Sequence, residues 1–239
     1  MKSTVNILLG VLFLLTAFSC EEESIDNLQP KLTCEDCIAF FPFNGNADDE
    51  SGNGYHGQVF GPKLAKDRFG NSESAYSFDG IDDYIAIAPS SLVDDKTSMS
   101  LSFWIQREGD AFYGLPIHTG NQGRFGVQVL TDSIKVNVVT NTTSNSTEYG
   151  TPFMPFNQAI WNHVVLRYDG TILQLIINTE LIYEMEAEGN IWTPQSSYLA
   201  FGVYMLFGNP NHGYYEGILD DVRLYNYAIT NQQIVDLSI

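Results

Sequence analysis

Residues 98–107, SMSLSFWIQR, alternate apolar and polar side chains with a period of two residues. Met99, Leu101, Phe103 and Ile105 fall on one face of an extended chain, and the serines between them fall on the other. A helix would scatter these apolar side chains around its axis, because its period is 3.6 residues. The alternation therefore predicts a β-strand with one face in a core.

The chain beyond residue 37 continues in the same way, as short strand-like runs separated by Gly, Asn, Asp and Pro. Asp169-Gly170, between two apolar runs, is typical of a two-residue hairpin turn. Many strands without intervening helices predict an all-β sandwich of two antiparallel sheets, in one domain over residues 38–239. The predicted strands are Ala39–Phe43, Ala75–Phe78, Tyr84–Ile87, Ser98–Arg107, Phe125–Leu130, Ile134–Val139, Asn162–Tyr168, Leu173–Asn178, Tyr198–Tyr204 and Gly217–Tyr225.

One short helix is predicted at the C-terminus. Thr230 can cap it, and Gln233 stands three residues later, where a capping box places its second partner. Ile229 and Ile234 stand at the two positions of a hydrophobic staple.

The composition excludes one class of partner. The 239 residues include 11 Lys and Arg against 29 Asp and Glu, which gives a formal charge of -18. A protein binds nucleic acid by neutralising phosphates with basic side chains, so no nucleic-acid partner is expected. Only 17% of the residues are charged and 44% are hydrophobic, which is the composition of a folded chain.

The N-terminus has the pattern of an export signal. Lys2 precedes an apolar run from Ile7 to Phe18, which is too short to span a bilayer. Ser19-Cys20 resembles a bacterial lipobox, in which the cysteine is acylated, and Glu21-Glu22-Glu23 resembles the export tag of surface-exposed lipoproteins. We therefore predict a signal peptide over residues 1–19, lipidation of Cys20, and a surface-exposed lipoprotein of the outer membrane. An ordinary signal peptide with an incidental cysteine is the alternative.

Residues 20–37 are read as an acidic tether that carries two cysteines, Cys34 and Cys37. A zinc site would need two further ligands at compatible spacing, and a thioredoxin-type pair would need a helix start in a βαβ unit. Neither pattern follows in the sequence, and an exported protein meets oxidising conditions. A local disulfide between Cys34 and Cys37 is the favoured interpretation.

Several blocks of the sequence, in order, resemble laminin-G-like jelly-roll domains of the concanavalin A-like lectin/glucanase superfamily. The blocks are Ala39–Gly54, Ala75–Ile85, Ser102–Ile105, Trp161–Gly170 and Gly217–Asn226. The resemblance implies a jelly roll of two packed antiparallel sheets, frequently a structural calcium ion, and recognition of glycans or proteins. It does not by itself imply catalysis.

A calcium site is predicted where the first loop meets the last strand. The loop at residues 44–54 is rich in oxygen donors, although it departs from the EF-hand pattern. A period of two places Asp220 among the apolar side chains of its strand, where a bare carboxylate is costly. Ca²⁺ held by Asn46, Asp49 and Asp220 would resolve that cost, and the resemblance points to the same positions. The alternative is that Asp220 accepts hydrogen bonds from loop N–H groups.

Two sets of side chains bear on sugar chemistry. Glu184, Glu186 and Glu188 share one face of a strand, as paired carboxylates do in glycosidases. Catalytic members of the superfamily carry a Glu-x-Asp-x-Glu-like run, whereas Glu186 occupies its centre here, and a solvated edge strand is the simpler interpretation. Sugar rings stack on exposed aromatic side chains. The candidates are Tyr113, Trp192, Tyr204, Phe207, Tyr214 and Tyr215, near Asn209, Asn211 and His212.

These observations predict a non-catalytic, lectin-like module that recognises a glycan or an extracellular protein. A glycoside hydrolase of the same fold and a structural component of an outer-membrane complex are the alternatives. His163 is predicted to be a core or edge residue and not a ligand, because it lies inside an apolar strand.

Overall fold

A computed structural model describes residues 34, 36–88, 92, 96–109, 112–119, 125–141, 146–191, 198–206 and 209–239. The predicted signal peptide, Cys20 and most of the tether lie outside these residues. The strands are β1 Ala39–Phe41, β2 Gly57–Phe60, β3 Lys63–Ala65, β4 Ala75–Asp79, β5 Tyr84–Ile87, β6 Met99–Arg107, β7 Tyr113–Thr119, β8 Phe125–Leu130, β9 Ser133–Asn141, β10 Ser146–Gly150, β11 Met154–Pro155, β12 Asn162–Tyr168, β13 Ile172–Ile177, β14 Glu180–Glu186, β15 Asn190–Ile191, β16 Leu199–Phe201, β17 Tyr204–Leu206, β18 Asn209–His212 and β19 Glu216–Tyr225.

The strands form two antiparallel sheets. The first sheet has the order β14-β13-β12-β6-β19-β4-β3, with β1 paired to β19. The second has the order β10-β9-β8-β7-β16-β5-β2, with β11 and β15 paired to β9. Strands β17 and β18 form a separate hairpin. The predicted jelly-roll-like, all-β fold of two antiparallel sheets is confirmed.

The C-terminal helix α1 spans Asn231–Leu237. The side chain of Thr230 accepts a hydrogen bond from the N–H of Gln233, and the side chain of Gln233 accepts one from the N–H of Thr230. The predicted capping box is therefore confirmed. No helix in the described part of the chain has the length and apolarity that crossing a membrane requires.

The core lies between the two sheets, as the period of β6 predicts. Met99, Leu101, Phe103 and Ile105 are all buried in it. The intervening serines are also buried, which the alternation does not predict. The reason is the segment before α1, which lies across this outer face: the Ser100 hydroxyl donates to the carbonyl of Tyr227 and accepts from the N–H of Ile229.

The last strand departs from a strict period of two. Its register against β6 shifts between Asp220 and Arg223, and Asp221 has a positive φ of 50°. This bulge reverses the alternation, so that Leu219 and Val222 are both in the core. The period of two that places Asp220 among the apolar side chains of its strand therefore does not hold, because the bulge adds one residue between Asp220 and Arg223.

Cys34 and Cys37 are joined by a disulfide, which confirms the favoured interpretation of this pair. The bond closes a short ring immediately before β1.

Candidate functional site

Asp49, one of the predicted calcium ligands, holds together the loop that follows β1. It is 5% exposed, and its Oδ1 accepts hydrogen bonds from the N–H groups of Phe40 and Ser51. Its Oδ2 accepts from the N–H of Tyr55 and the hydroxyl of Ser51. Burial alone would raise the pKa of Asp49, but these hydrogen bonds hold the pKa below its usual value. Asp49 is therefore an ionised residue that orders the loop.

Asp220, the second predicted ligand, has a cationic partner. Nη1 of Arg68 lies 2.8 Å from Oδ2 of Asp220 and 2.8 Å from Oδ2 of Asp221. The guanidinium of Arg68 also lies 4.3 Å from the ring centre of Phe69 and 4.5 Å from that of Trp104. Burial raises the pKa of Asp220, Asp221 raises it further, and Arg68 opposes both. The sequence suggests two roles for Asp220, as a calcium ligand and as an acceptor of hydrogen bonds from loop N–H groups. Neither role includes Arg68.

The contacts of the three predicted ligands do not fit a shared calcium site. Both oxygens of Asp49 accept hydrogen bonds, and the Oδ1 of Asn46 accepts one from the N–H of Asp48. Asp220 lies against a guanidinium, which would repel a cation. Calcium at Asn46, Asp49 and Asp220 stays a prediction, and no step of the proposed function depends on it.

Thermal unfolding tests the calcium prediction. The calcium prediction requires a higher Tm in added calcium than in excess chelator, because an ion that binds only the folded chain stabilises it. Asp220→Asn should remove that difference if the ion is held by this residue. The same Tm in calcium and in chelator would contradict the prediction.

An aromatic surface lies on the outward side of one end of the second sheet. The rings of Phe60 on β2 and Tyr84 on β5 are stacked, with centres 4.5 Å apart and planes 13° apart. Tyr84, Tyr198 and Tyr214 pack over a buried floor, which consists of Ala200, Val203 and Met205. Tyr113, Tyr204 and His212 extend this surface along β7 and the β17–β18 hairpin. We call the surface formed by Phe60, Tyr84, Tyr113, Tyr198, Tyr204, His212 and Tyr214 the aromatic face.

The rings of the aromatic face are half-buried, apart from His212, which is exposed. A half-buried ring keeps one side against the protein and offers the other to a ligand. Sugar rings bind through such contacts, because their C–H faces pack on an aromatic ring while their hydroxyls bond to polar groups. The face therefore has the chemistry that binds a glycan.

Sequence reasoning found part of the aromatic face. Tyr113, Tyr204 and Tyr214 lie on it, whereas Tyr215 is completely buried and donates to the carbonyl of Gln106. Phe60 and Tyr84 were missed as a pair because they lie on strands that become neighbours only in the folded sheet. Trp192 and Phe207 lie outside the described residues, and Asn209 and Asn211 belong to β18.

A buried histidine lies beneath this face. His118 is 4% exposed, and its ring centre lies 4.6 Å from that of Tyr204, which in turn lies 4.8 Å from that of His212. Within the described part of the chain, its Nδ1 has no hydrogen-bond partner. Burial lowers the pKa of His118 to about 4, and His212 contributes to that shift. His118 is therefore neutral at physiological pH.

This histidine predicts a loss of stability in mild acid. Its ordinary pKa is 6.5 and its folded pKa is about 4, so between these values the unfolded chain takes up a proton that the folded chain does not. The free energy of unfolding should fall by about 1.4 kcal/mol per pH unit in that window because of His118 alone. His118→Phe should reduce the slope of urea-unfolding stability against pH. An unchanged slope would contradict this account.

His163, for which the sequence predicts a core or edge position, is a core residue. It is 1% exposed, its Nε2 lies 2.8 Å from the hydroxyl of Ser102, and burial lowers its pKa to about 3. This confirms the interpretation that the sequence favoured. Because Ser102 is itself fully buried, the pair is not accessible to a substrate.

The three glutamates lie on or just after β14, an edge strand of the first sheet. Glu184 accepts a hydrogen bond from the side chain of Gln174, on the neighbouring strand. Glu186 and Glu188 line a cleft of about 590 Å³ together with Tyr149 and Ile172. This cleft lies at the edge strands of both sheets, away from β2 and β5.

Residues 79–235 match the profile of the Laminin_G_3 family, whose description is concanavalin A-like lectin/glucanases superfamily. The match covers more than half of the chain, and the chain belongs to this family. No curated protein matches the sequence.

Solved structures with the same fold include domain 4 of AbnA, a GH43 extracellular arabinanase from Geobacillus stearothermophilus, in complex with arabinotriose. Its TM-score is 0.61 at 19% identity, over 85% of this chain and 98% of that one. The binding domain of Paraclostridial Mosquitocidal Protein 1 matches with a TM-score of 0.65 at 13% identity, over 85% of this chain and 52% of that one.

The binding domain of Botulinum neurotoxin DC in complex with rat synaptotagmin II matches with a TM-score of 0.62 at 14% identity, over 85% of this chain and 51% of that one. The chain therefore spans about half the length of these two toxin domains. At such identities the similarity shows the fold alone.

Proposed function

We propose that this chain is a non-catalytic binding module that holds a glycan on its aromatic face. The observation that carries the proposal is the stacked pair of Phe60 and Tyr84, which continues into the half-buried rings of Tyr113, Tyr204 and Tyr214. Neighbouring aromatic side chains that stay partly accessible to solvent are typical of binding surfaces. The arabinotriose complex of a protein with the same fold supports a sugar as the ligand.

The proposal includes a location. The signal-peptide pattern of residues 1–19, the lipobox-like Ser19-Cys20 and the acidic residues that follow favour a lipid-anchored protein displayed at the outer membrane. Residues 20–37 would then hold the binding domain away from the membrane. Cys20→Ala should move the protein from the membrane fraction to the soluble fraction. Retention in the membrane fraction would contradict the anchor.

A glycan array tests the function. The purified chain should bind a restricted set of glycans, and Tyr84→Ala should lose that binding. Silence on the array together with a co-purifying protein would favour the alternative of a structural component, or recognition of an extracellular protein. The synaptotagmin complex of a protein with the same fold is the observation behind the protein alternative.

The glycoside hydrolase alternative rests on the cleft beside Glu186 and Glu188. Two carboxylates beside a cleft are the minimum for glycoside hydrolysis. Release of reducing ends from a bound polysaccharide by the wild type, and its loss in Glu186→Gln, would establish this alternative. We expect no release.

A further inference from the structure

We propose that the aromatic face selects uncharged glycans and discriminates against uronic-acid-bearing or sulfated ones, through the acidic turn that borders the stacked pair of Phe60 and Tyr84. This inference rests on the proposed function, because it names the chemical class of the glycan bound at the same face. We define the acidic turn as residues 79–83, which run from the last residue of β4 to the start of β5.

The acidic turn adjoins both strands that carry the stacked pair, β5 and β2. Tyr84 directly follows Asp82 and Asp83 in the sequence. On the side of Phe60, the next residue is Gly61, which approaches Asp83 so closely that a Cβ there would collide with Oδ1. The turn is therefore the immediate border of the stacked rings and not a distant patch.

The turn concentrates negative charge. Carboxylate oxygens of Asp79, Asp82 and Asp83 lie within 4.8 Å of one another. Asp79 and Asp82 are exposed, so they project their charge into the solvent beside the face. Asp83 is buried, and its Oδ2 accepts from the N–H of Asp79, while the Oδ1 of Asp79 accepts from the N–H of Ile81. These hydrogen bonds fix the geometry of the turn.

Around the turn, four carboxylates face two cations that act on them. Glu216 on β19 pairs in register with Asp79 and adds a fourth carboxylate. Lys63 is the cation that acts on Asp83, and it is exposed. Arg107 acts on Glu216 from within the protein, where it is 4% exposed. With a formal charge of -18 on the whole chain, the long-range field has the same sign as the local one.

A glycan that carries carboxylates or sulfates must bring negative charge beside this turn, whereas an uncharged glycan meets no such repulsion. At a separation of about 7 Å in water, one charge pair changes an equilibrium constant by about threefold. The repulsion is screened by salt, since the Debye length falls from ~30 Å at about 0.01 M to ~3 Å at about 1 M. Discrimination should therefore be strong in low salt and weak in high salt.

The experiment compares neutral and anionic derivatives of one backbone. The probes are the neutral glycan that binds best on the array and its carboxymethylated form, with dextran and dextran sulfate measured in parallel. We expect wild-type affinity for the neutral glycan to be insensitive to salt. The affinity for the carboxymethylated form should be at least about tenfold weaker at about 0.01 M salt than at about 1 M.

Asp82→Lys isolates the turn. It reverses one exposed charge, so it should strengthen low-salt binding of the anionic form by roughly five- to tenfold. Glu148→Lys is the matched control, because it makes the same change of charge on β10 of the same sheet. That strand lies five strands from β5, or ~24 Å, where the same change of charge should alter the binding by less than about twofold even in low salt. Urea unfolding verifies that both variants are folded.

The outcomes separate this inference from the proposed function. Charge discrimination is overturned if the wild type binds the anionic form as tightly at about 0.01 M salt as at about 1 M, or more tightly. It is also overturned if Asp82→Lys and Glu148→Lys have equal effects. In both cases glycan binding by the aromatic face stands. If Tyr84→Ala still binds the neutral glycan, or if the array is silent, the aromatic face is not the site. The proposed function and this inference then both fail.

Discussion

Tyr84→Ala is expected to weaken glycan binding by about 10- to 100-fold, which corresponds to about 1.4 to 2.8 kcal/mol. Tyr84 is half-buried and stacks on Phe60, so truncation removes the ring that meets the sugar and unpairs its neighbour. The size of the effect follows from the apolar area that an aromatic ring covers on a sugar, at roughly 25 cal/mol per Å². Affinity is measured by calorimetry with the best glycan from the array.

Two controls accompany this variant. Tyr84→Phe keeps the ring and should retain most of the affinity. Phe153→Ala removes an aromatic side chain that is 38% exposed and precedes β11, which pairs with β9, four strands from β5 in the second sheet. It should leave the affinity unchanged. If Phe153→Ala and Tyr84→Ala have equal effects, the loss is not specific to the aromatic face.

Arg68→Met is expected to lower the free energy of unfolding by about 3 to 5 kcal/mol, because it leaves two carboxylates without their shared cation. The side chains of Arg68 and Asp220 are 7% and 3% exposed, so solvent replaces little of the lost interaction. The second guanidinium, of Arg223, pairs with Asp221 at 3.1 Å and does not pair with Asp220. Urea unfolding measures the difference.

The pH dependence of this variant distinguishes charge from packing. Arg68 lowers the pKa of Asp220, so its removal raises that pKa further above the unfolded value. An acid with a raised pKa costs stability as the pH rises through the interval between its unfolded and folded pKa values. The deficit of Arg68→Met should therefore be larger at about pH 8.5 than at about pH 5. Lys66→Met, which removes an exposed cation from the same loop, should have little effect at either pH. A deficit that does not change with pH would show that packing alone is lost.

Much of the fold can be predicted from the sequence because the side chains that the local alternation places on one face are the ones that pack in the core between the sheets. The face of β6 that carries Phe103 is apolar in sequence and buried in the structure. Local pattern fails where a single residue changes the register. The sequence pattern places Asp220 among apolar neighbours. In the structure the strand has a bulge at Asp221, and Asp220 lies beside Arg68.

The ion-pair network is out of reach of sequence reasoning for a different reason. Arg68 lies 152 residues before Asp220 in the chain, and nothing in its surroundings marks it as the partner. The aromatic face has the same limit. Tyr214 and Tyr215 are adjacent in sequence, yet one lies on the face and the other is fully buried. Only the path of the backbone between β18 and β19 separates them.

The central claim is that the outward side of the second sheet, over β2 and β5, is the surface that binds a glycan. A crystal structure of the chain with the best neutral oligosaccharide from the array tests it most directly. We predict a sugar ring packed on Tyr84, with Asp79 and Asp82 beside it. A sugar bound in the cleft beside Glu186, or anywhere on the first sheet, would contradict the claim.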